Sequence, residues 1–156
     1  MSTPVKSVRM TEDEIWTFLR EGHTGIFATL RSDGVPIMMP IWYALIDRCV
    51  YINTRGKKLA RVSNDPRASF LVEAGEHWSK LRAVHLTGTA EIVDPSPALA
   101  EAIKAEMDRK YAAYRTAQSQ MPDATRGAYQ KASGATVRLT PDTRILHWDN
   151  RKLGVL

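Results

Sequence analysis

The chain has 156 residues, 44% hydrophobic and 25% charged, with a net charge of +5. That length suits one domain with a sizeable core, and the balance is ordinary for a globular protein. A lone cysteine, Cys49, excludes an internal disulfide, no apolar run approaches a membrane span, and the scattered cations argue against nucleic acid as a partner.

The first ten residues are polar and mixed, without a signal-peptide pattern, and Met1 to Arg9 reads as a loose arm. With a single cysteine in an apolar strand, the expectation is a cytoplasmic protein in a reducing compartment. Thr11-Glu12-Asp13-Glu14 is a capping box, with Thr11 as N-cap and Glu14 three residues on. Ile15, Trp16, Phe18 and Leu19 place an apolar stripe on the helix that follows, which ends near Glu21-Gly22.

His23 to Leu30 reads as a first strand, and Ser32-Asp33-Gly34 as a hairpin turn with glycine at positive φ. Val35 to Ile46 reads as one long strand. Its two prolines, Pro36 and Pro40, cannot donate to a ladder, so an edge position or a bulge at Pro40 is expected. Asp47-Arg48 turns into Cys49 to Asn53, a strand of β-branched and aromatic residues. Arg67 to Glu73 is the next strand. Ala83 to Val93 alternates as another, with Gly88 marking a bulge or a close backbone approach.

Asp94-Pro95-Ser96-Pro97 stops the sheet and starts a helix from Ala98 to about Gln118. Leu99, Ile103, Met107, Tyr111 and Tyr114 form its apolar stripe. A further short helix follows over 124–131, and 134–139 and 143–148 read as two final strands. The whole is a single domain over 1–156 with a helical insertion at about 96–132. The fold class is mainly β within α+β: a six-to-seven-stranded antiparallel split β-barrel with flanking helices.

The chemistry concentrates between Tyr51 and Arg61. A strand ends at Thr54-Arg55-Gly56, and Lys57 to Asn64 reads as a short helix stopped by Asp65-Pro66. Arg55, Lys57, Lys58 and Arg61 crowd that turn. Cations at a helix N-terminus oppose its dipole. An anion such as a phosphate, seated on the exposed N–H groups, resolves the conflict. A solvated basic helix accounts for the same residues. No Gly-x-Gly-x-x-Gly, P-loop, Gly-x-Ser-x-Gly or metal-spaced His/Cys cluster occurs, and no metal site is expected. His23, His77, His85 and His147 are far apart in sequence, and His85 reads as a hydrogen-bonded sheet residue.

The run from Tyr51 to Val72, with Lys57-Lys58 followed by Asn64-Asp65-Pro66-Arg67-Ala68-Ser69, resembles the pyridoxamine-phosphate-oxidase-like flavin-binding split barrels. Asp33-Gly34-Val35-Pro36 and Met39-Pro40-Ile41-Trp42-Tyr43 match a second pattern of that superfamily. Lys57 stands where the oxidases usually carry Arg, which keeps the charge and loses the fork. The resemblance implies a cofactor phosphate held by Thr54, Arg55, Lys57 and Lys58 with Arg61 nearby, and a ring against Met38, Met39, Pro40, Ile41 and Trp42. Strand alternation allows only one of Trp42 and Tyr43 to see the ring. Trp148 matches a tryptophan that approaches the ring from the neighbouring subunit.

The implied protein is a homodimer with cofactor at the subunit interface. The implied activity is a flavin- or deazaflavin-dependent oxidoreductase. It transfers hydride or electrons between FMN or the deazaflavin coenzyme 420 and a small conjugated substrate. The cofactor carries the chemistry, so no catalytic side chain is assigned. The Arg-Leu-His-Asp motif that grips vitamin B6 is missing near Ile145 to Leu153, which argues against a true pyridoxamine-phosphate oxidase. A non-catalytic flavin, deazaflavin or heme binding or storage protein is the alternative.

Overall fold

The computed structural model describes residues 6–131 and 133–155. Seven strands form one antiparallel sheet: β1 (Gly25–Leu30), β2 (Pro36–Ile41), β3 (Ala44–Ile46), β4 (Cys49–Arg55), β5 (Arg67–Ala74), β6 (Arg82–Val93) and β7 (Gly134–Asp149). Their spatial order is β2-β1-β5-β6-β7-β4-β3. The two edge strands, β2 and β3, are consecutive in the chain and only Trp42 and Tyr43 separate them. The sheet must therefore curl until its edges meet, as a barrel split between β2 and β3. Four helices flank it: α1 (Glu12–Glu21), α2 (Lys57–Asn64), α3 (Pro97–Tyr111) and α4 (Asp123–Lys131).

The barrel interior follows from alternation. In β1 every second residue is buried, and Phe27 joins Phe70, Val72, Val84, Leu86, Val137 and Leu139 in one core. Phe18 and Leu19 of α1 close one end of it. The capping box at Thr11 is formed in both directions: Glu14 N–H donates to Thr11 Oγ1, and Thr11 N–H donates to the Glu14 carboxylate. Ala44 and Tyr51, on the outside of the sheet, pack under Ile103 of α3.

Three readings of the strands and of α3 change. The long strand over 35–46 is two strands. Pro40 stays in register opposite Ile26, because β2 is an edge and its missing N–H faces no partner. The chain breaks at Trp42-Tyr43 instead, where it leaves one edge of the barrel for the other. The two final strands are one strand of 16 residues. Pro141 does not end it, since it falls at the irregularity where β6 shifts register between Leu86 and Gly88. A Cβ on Gly88 would lie 2.1 Å from the Thr140 carbonyl oxygen, so the close approach read from Gly88 is real. α3 ends at Tyr111, short of Gln118.

Of the arm, residues 1–5 lie outside the described residues. Residues 6–10 are docked rather than loose. Lys6 Nζ donates to Leu153 O, Asp149 N–H donates to Val8 O, and Met10 N–H donates to His147 Nδ1. That last bond uses a neutral imidazole, and burial lowers the His147 pKa accordingly. No helix is long and apolar enough to cross a membrane among the described residues.

Candidate functional site

β4 delivers its last residues, Asn53, Thr54 and Arg55, to the turn into α2. Gly56 takes φ 69°, ψ −139°, a conformation open to glycine, and nothing lies within 4 Å of the Cβ it lacks. α2 therefore starts without a side-chain cap, and its first turn holds Lys57 and Lys58 but no acid. Among the described residues neither lysine has a carboxylate within ion-pair distance. Free N–H groups and two unpaired ammonium groups thus meet at one helix start, a donor set suited to an anion.

Beside this turn lies a cavity of about 590 Å³. Ile41, Trp42, Thr54, Arg55 and Lys58 line it, with Asn53 and Thr136 joined by a 3.0 Å hydrogen bond. Its remaining walls come from Met107 of α3, Tyr129 of α4 and the start of β7. A flat aromatic surface, an apolar side and a cationic end suit a planar conjugated ligand with a phosphate tail.

Trp42 supplies the flat surface. It is 38% exposed, while Tyr43 is fully buried, as alternation requires. The covered face of Trp42 stacks on Tyr111 of α3, with ring centroids 4.4 Å apart and planes 7° apart. The Tyr111 hydroxyl accepts from Tyr43 N–H at 2.9 Å and lies 2.7 Å from His23 O, to which it donates. Burial pushes its pKa up to about 12, so it remains a donor.

Five of the eleven residues expected at a cofactor come together in this cavity. Met38, Met39 and Pro40 stand on the edge strand β2, beyond the cavity lining, with Met38 65% exposed. Lys57 is exposed at the first turn of α2. Arg61 turns the other way, its Nε donating to Thr29 Oγ1 at 2.8 Å, and so ties α2 to β1. Trp148 lies on β7 opposite Ala83, away from the cavity. The Asn64-Asp65-Pro66-Arg67 run is a turn device. The Asp65 carboxylate accepts from Arg67 N–H and from its guanidinium, which holds the Asp65 pKa down at about 2.

Sequence reasoning missed Asn53, Met107, Tyr129 and Thr136. Met107 belonged to the stripe on α3 and was readable as packing. Tyr129 lay in the insertion and carried no signal of its own. His85 sits on the outer face between Leu71 and Leu146 and makes no side-chain hydrogen bond among the described residues. No cluster of three or more His, Cys, Asp or Glu positioned for a metal occurs among the described residues.

A larger cleft of about 880 Å³ lies between α1, the β3–β4 turn and α3. Its Arg48 and Arg109 are already paired, with Glu12 at 2.5 Å and Glu106 at 2.6 Å, and the carboxylates of Asp13, Asp47 and Glu106 share its lining with Arg20, so an anion there meets like charge.

Residues 11–138 match the family model of pyridoxamine 5'-phosphate oxidase. The chain belongs to that family. Among solved structures, a conserved hypothetical protein from Mycobacterium tuberculosis is 30% identical, with a TM-score of 0.77 over 100% of this chain and 94% of the other. The heme storage protein HutZ from Vibrio cholerae is 16% identical, with a TM-score of 0.64 over 88% and 94%. An FAD-binding protein from Mesorhizobium loti is 17% identical, with a TM-score of 0.60 over 88% and 94%. The last two share the fold of this pyridoxamine 5'-phosphate oxidase family member.

Proposed function

We propose that the chain is an oxidoreductase that binds FMN or a deazaflavin and acts on a small conjugated substrate. The observation that carries this reading is the uncapped start of α2, with Lys58 unpaired among the described residues, opening into the same cavity as the stacked Trp42. Such a cavity holds a phosphate at one end and a planar ring at the other. Family membership and the FAD-binding structural neighbour support it.

The bound cofactor would supply hydride transfer. The chain's own residues bind and orient. Lys58, Lys57 and the first N–H groups of α2 hold the phosphate, and Thr54 stands beside them. Trp42, fixed by Tyr111, sets the plane against which a ring lies, and Ile41 and Met107 keep water from its edge.

The second subunit is part of the proposal. Register places Pro40, Ile26, Leu71, His85 and Leu146 in one row across the outer face of the sheet. Met38 and Trp148 flank that row on the same face. A second copy of the chain would cover this apolar face and complete the wall beyond β2.

Binding or storage without turnover is the second reading, and the likeness to HutZ favours it. The test is absorbance of the purified protein, followed by titration of the stripped protein with FMN, deazaflavin and heme. A flavin or deazaflavin complex that reduces a quinone supports the oxidoreductase. A Soret band, or a flavin complex inert to every electron donor, supports the second reading.

A further inference from the structure

Arg55 ends β4 at the rim of the cavity. Its guanidinium carbon lies 3.9 Å from the centroid of the Tyr129 ring, and Nη1 donates to Tyr129 O at 3.4 Å. No carboxylate pairs with it among the described residues, whereas Arg138, on the neighbouring strand, is paired with Glu91 at 2.5 Å. Tyr129 is 56% exposed, and α4 buries none of its own residues. Hydrophobic packing therefore does not explain why a tyrosine stands here.

A guanidinium stacked by its face keeps its N–H edge in the plane of the fork. Among the described residues Arg55 makes one side-chain hydrogen bond, from Nη1, which leaves the Nε and Nη2 donors without a described partner. Arginine has large rotamer entropy, and an anion that must order a free arginine binds more weakly. A ring beneath the guanidinium removes that cost in advance. Arg55, Tyr129 and Lys58 line the same cavity, so the ordered edge is available to the anion that Lys58 attracts.

We infer that Tyr129 is a positioning residue for Arg55, and that the stacked pair makes the cavity select ligands bearing a phosphate. The inference rests on the cavity being the cofactor site proposed above. It gives the helical insertion a function: α4 holds an arginine in place for anion recognition.

The experiment compares FMN with riboflavin, which differ only in the phosphate, on the intact chain. The readout is the ratio of their dissociation constants. Tyr129→Leu keeps bulk and removes the π face, and should shrink the FMN preference roughly three- to fivefold while riboflavin binding stays within about twofold. Tyr129→Phe should keep the preference. In an Arg55→Ala background, Tyr129→Leu should have no further effect on the ratio. Equal losses for both flavins, or an unchanged ratio, would overturn the positioning role. If neither flavin binds, the FMN branch of the cofactor reading fails by itself, and inorganic pyrophosphate becomes the probe, read on the Arg55 Nε–H signal by NMR. A shift in the wild type that Tyr129→Leu abolishes would then support the clamp, and no shift in the wild type would sink it.

Discussion

Trp42 and Tyr111 lie ring on ring, 4.4 Å apart and 7° from parallel, although one leaves an edge strand and the other ends a helix. The contact joins the split of the barrel to the insertion. Tyr43 N–H is buried at that break with no strand partner, and the Tyr111 hydroxyl accepts from it. The helical insertion thus completes the hydrogen bonding of the sheet edge and fixes the plane of the cavity wall.

Tyr111→Phe should therefore cost about 1–3 kcal/mol, the penalty for a buried donor left without an acceptor. Urea unfolding would measure it. The stack itself survives the change, so Trp42 fluorescence in the folded state should be nearly unaltered. A variant as stable as the wild type would show that Tyr43 N–H finds another acceptor.

Much of this was readable in advance and some was not. The capping box, the Gly34 turn and the limits of α2 each depend on a few neighbouring residues, and each is formed; the approach at Gly88 is formed too, and the glycine itself signalled it although its partner, Thr140, lies on β7. The break at Trp42-Tyr43 is global. Nothing local ends a strand there; the chain changes edges because the sheet has curled. Pro141 misled for a similar reason, since a proline inside a strand is tolerated at the irregularity opposite Gly88. The cationic turn was legible because charge at a helix start is locally unfavourable without an anion. That the Arg61 side chain reaches Thr29 on β1 is not legible, because nothing near Arg61 in the sequence points to that partner. Tyr129 could not be found because its partner, Arg55, is 74 residues away.

Two glycines should respond in opposite directions. A Cβ at Gly88 meets the Thr140 backbone at 2.1 Å, and a backbone cannot swing aside as a side chain can. Gly88→Ala should destabilise by about 1–3 kcal/mol through overpacking. Gly127 lies inside α4 with nothing within 4 Å. Gly127→Ala should stabilise α4 by up to about 1 kcal/mol through helix propensity. Thermal melts of the two variants beside the wild type give both signs.

Lys110 governs a pH dependence. Its Nζ is buried, lies 3.5 Å from the centroid of the Tyr43 ring, and has no hydrogen-bond partner among the described residues. Burial lowers its pKa to about 7, against an opposing pull from Glu106 and a reinforcing one from Arg109. The folded state thus binds this proton more weakly than the unfolded chain. Its contribution to stability is least favourable below pH 7 and improves as pH rises from about 7 towards the ordinary lysine value. Lys110→Met should raise stability at pH 6–7 by about 1–3 kcal/mol, since it removes an unsatisfied buried donor. It should also flatten the rise between pH 7 and 10. An unfolding series across that range decides it, and an unchanged slope would show that another group titrates.

Assembly tests the outer face. Leu146 is 50% exposed in the apolar row that crosses β2, β1, β5, β6 and β7. Leu146→Asp should leave the fold intact and convert a dimer into monomer in sedimentation, because a charge buried in an apolar interface is costly. A wild-type protein that sediments as monomer yet binds cofactor at full strength would remove the second subunit from the site.

Phosphate recognition separates Lys58 from an ordinary surface lysine. Lys58 lines the cavity and has no acidic partner among the described residues. Lys104 lies on α3, away from the cavity, and is bound to Asp108 at 2.8 Å. Both are lysines on helices, so removing either changes net charge by the same amount. Long-range electrostatics alone would weaken FMN binding alike in the two variants, and that loss would fade with added salt. A direct charge-assisted bond at Lys58 predicts a different pattern. Lys58→Ala should lose about 1.5–3 kcal/mol of FMN binding energy, and much of that should persist at high salt. Lys104→Ala should stay within experimental error of the wild type. Lys58→Arg should recover most of the affinity if charge at that position is what matters. Calorimetric titrations with FMN at two salt concentrations distinguish these outcomes, and equal affinities for Lys58→Ala and Lys104→Ala would remove the phosphate from the start of α2.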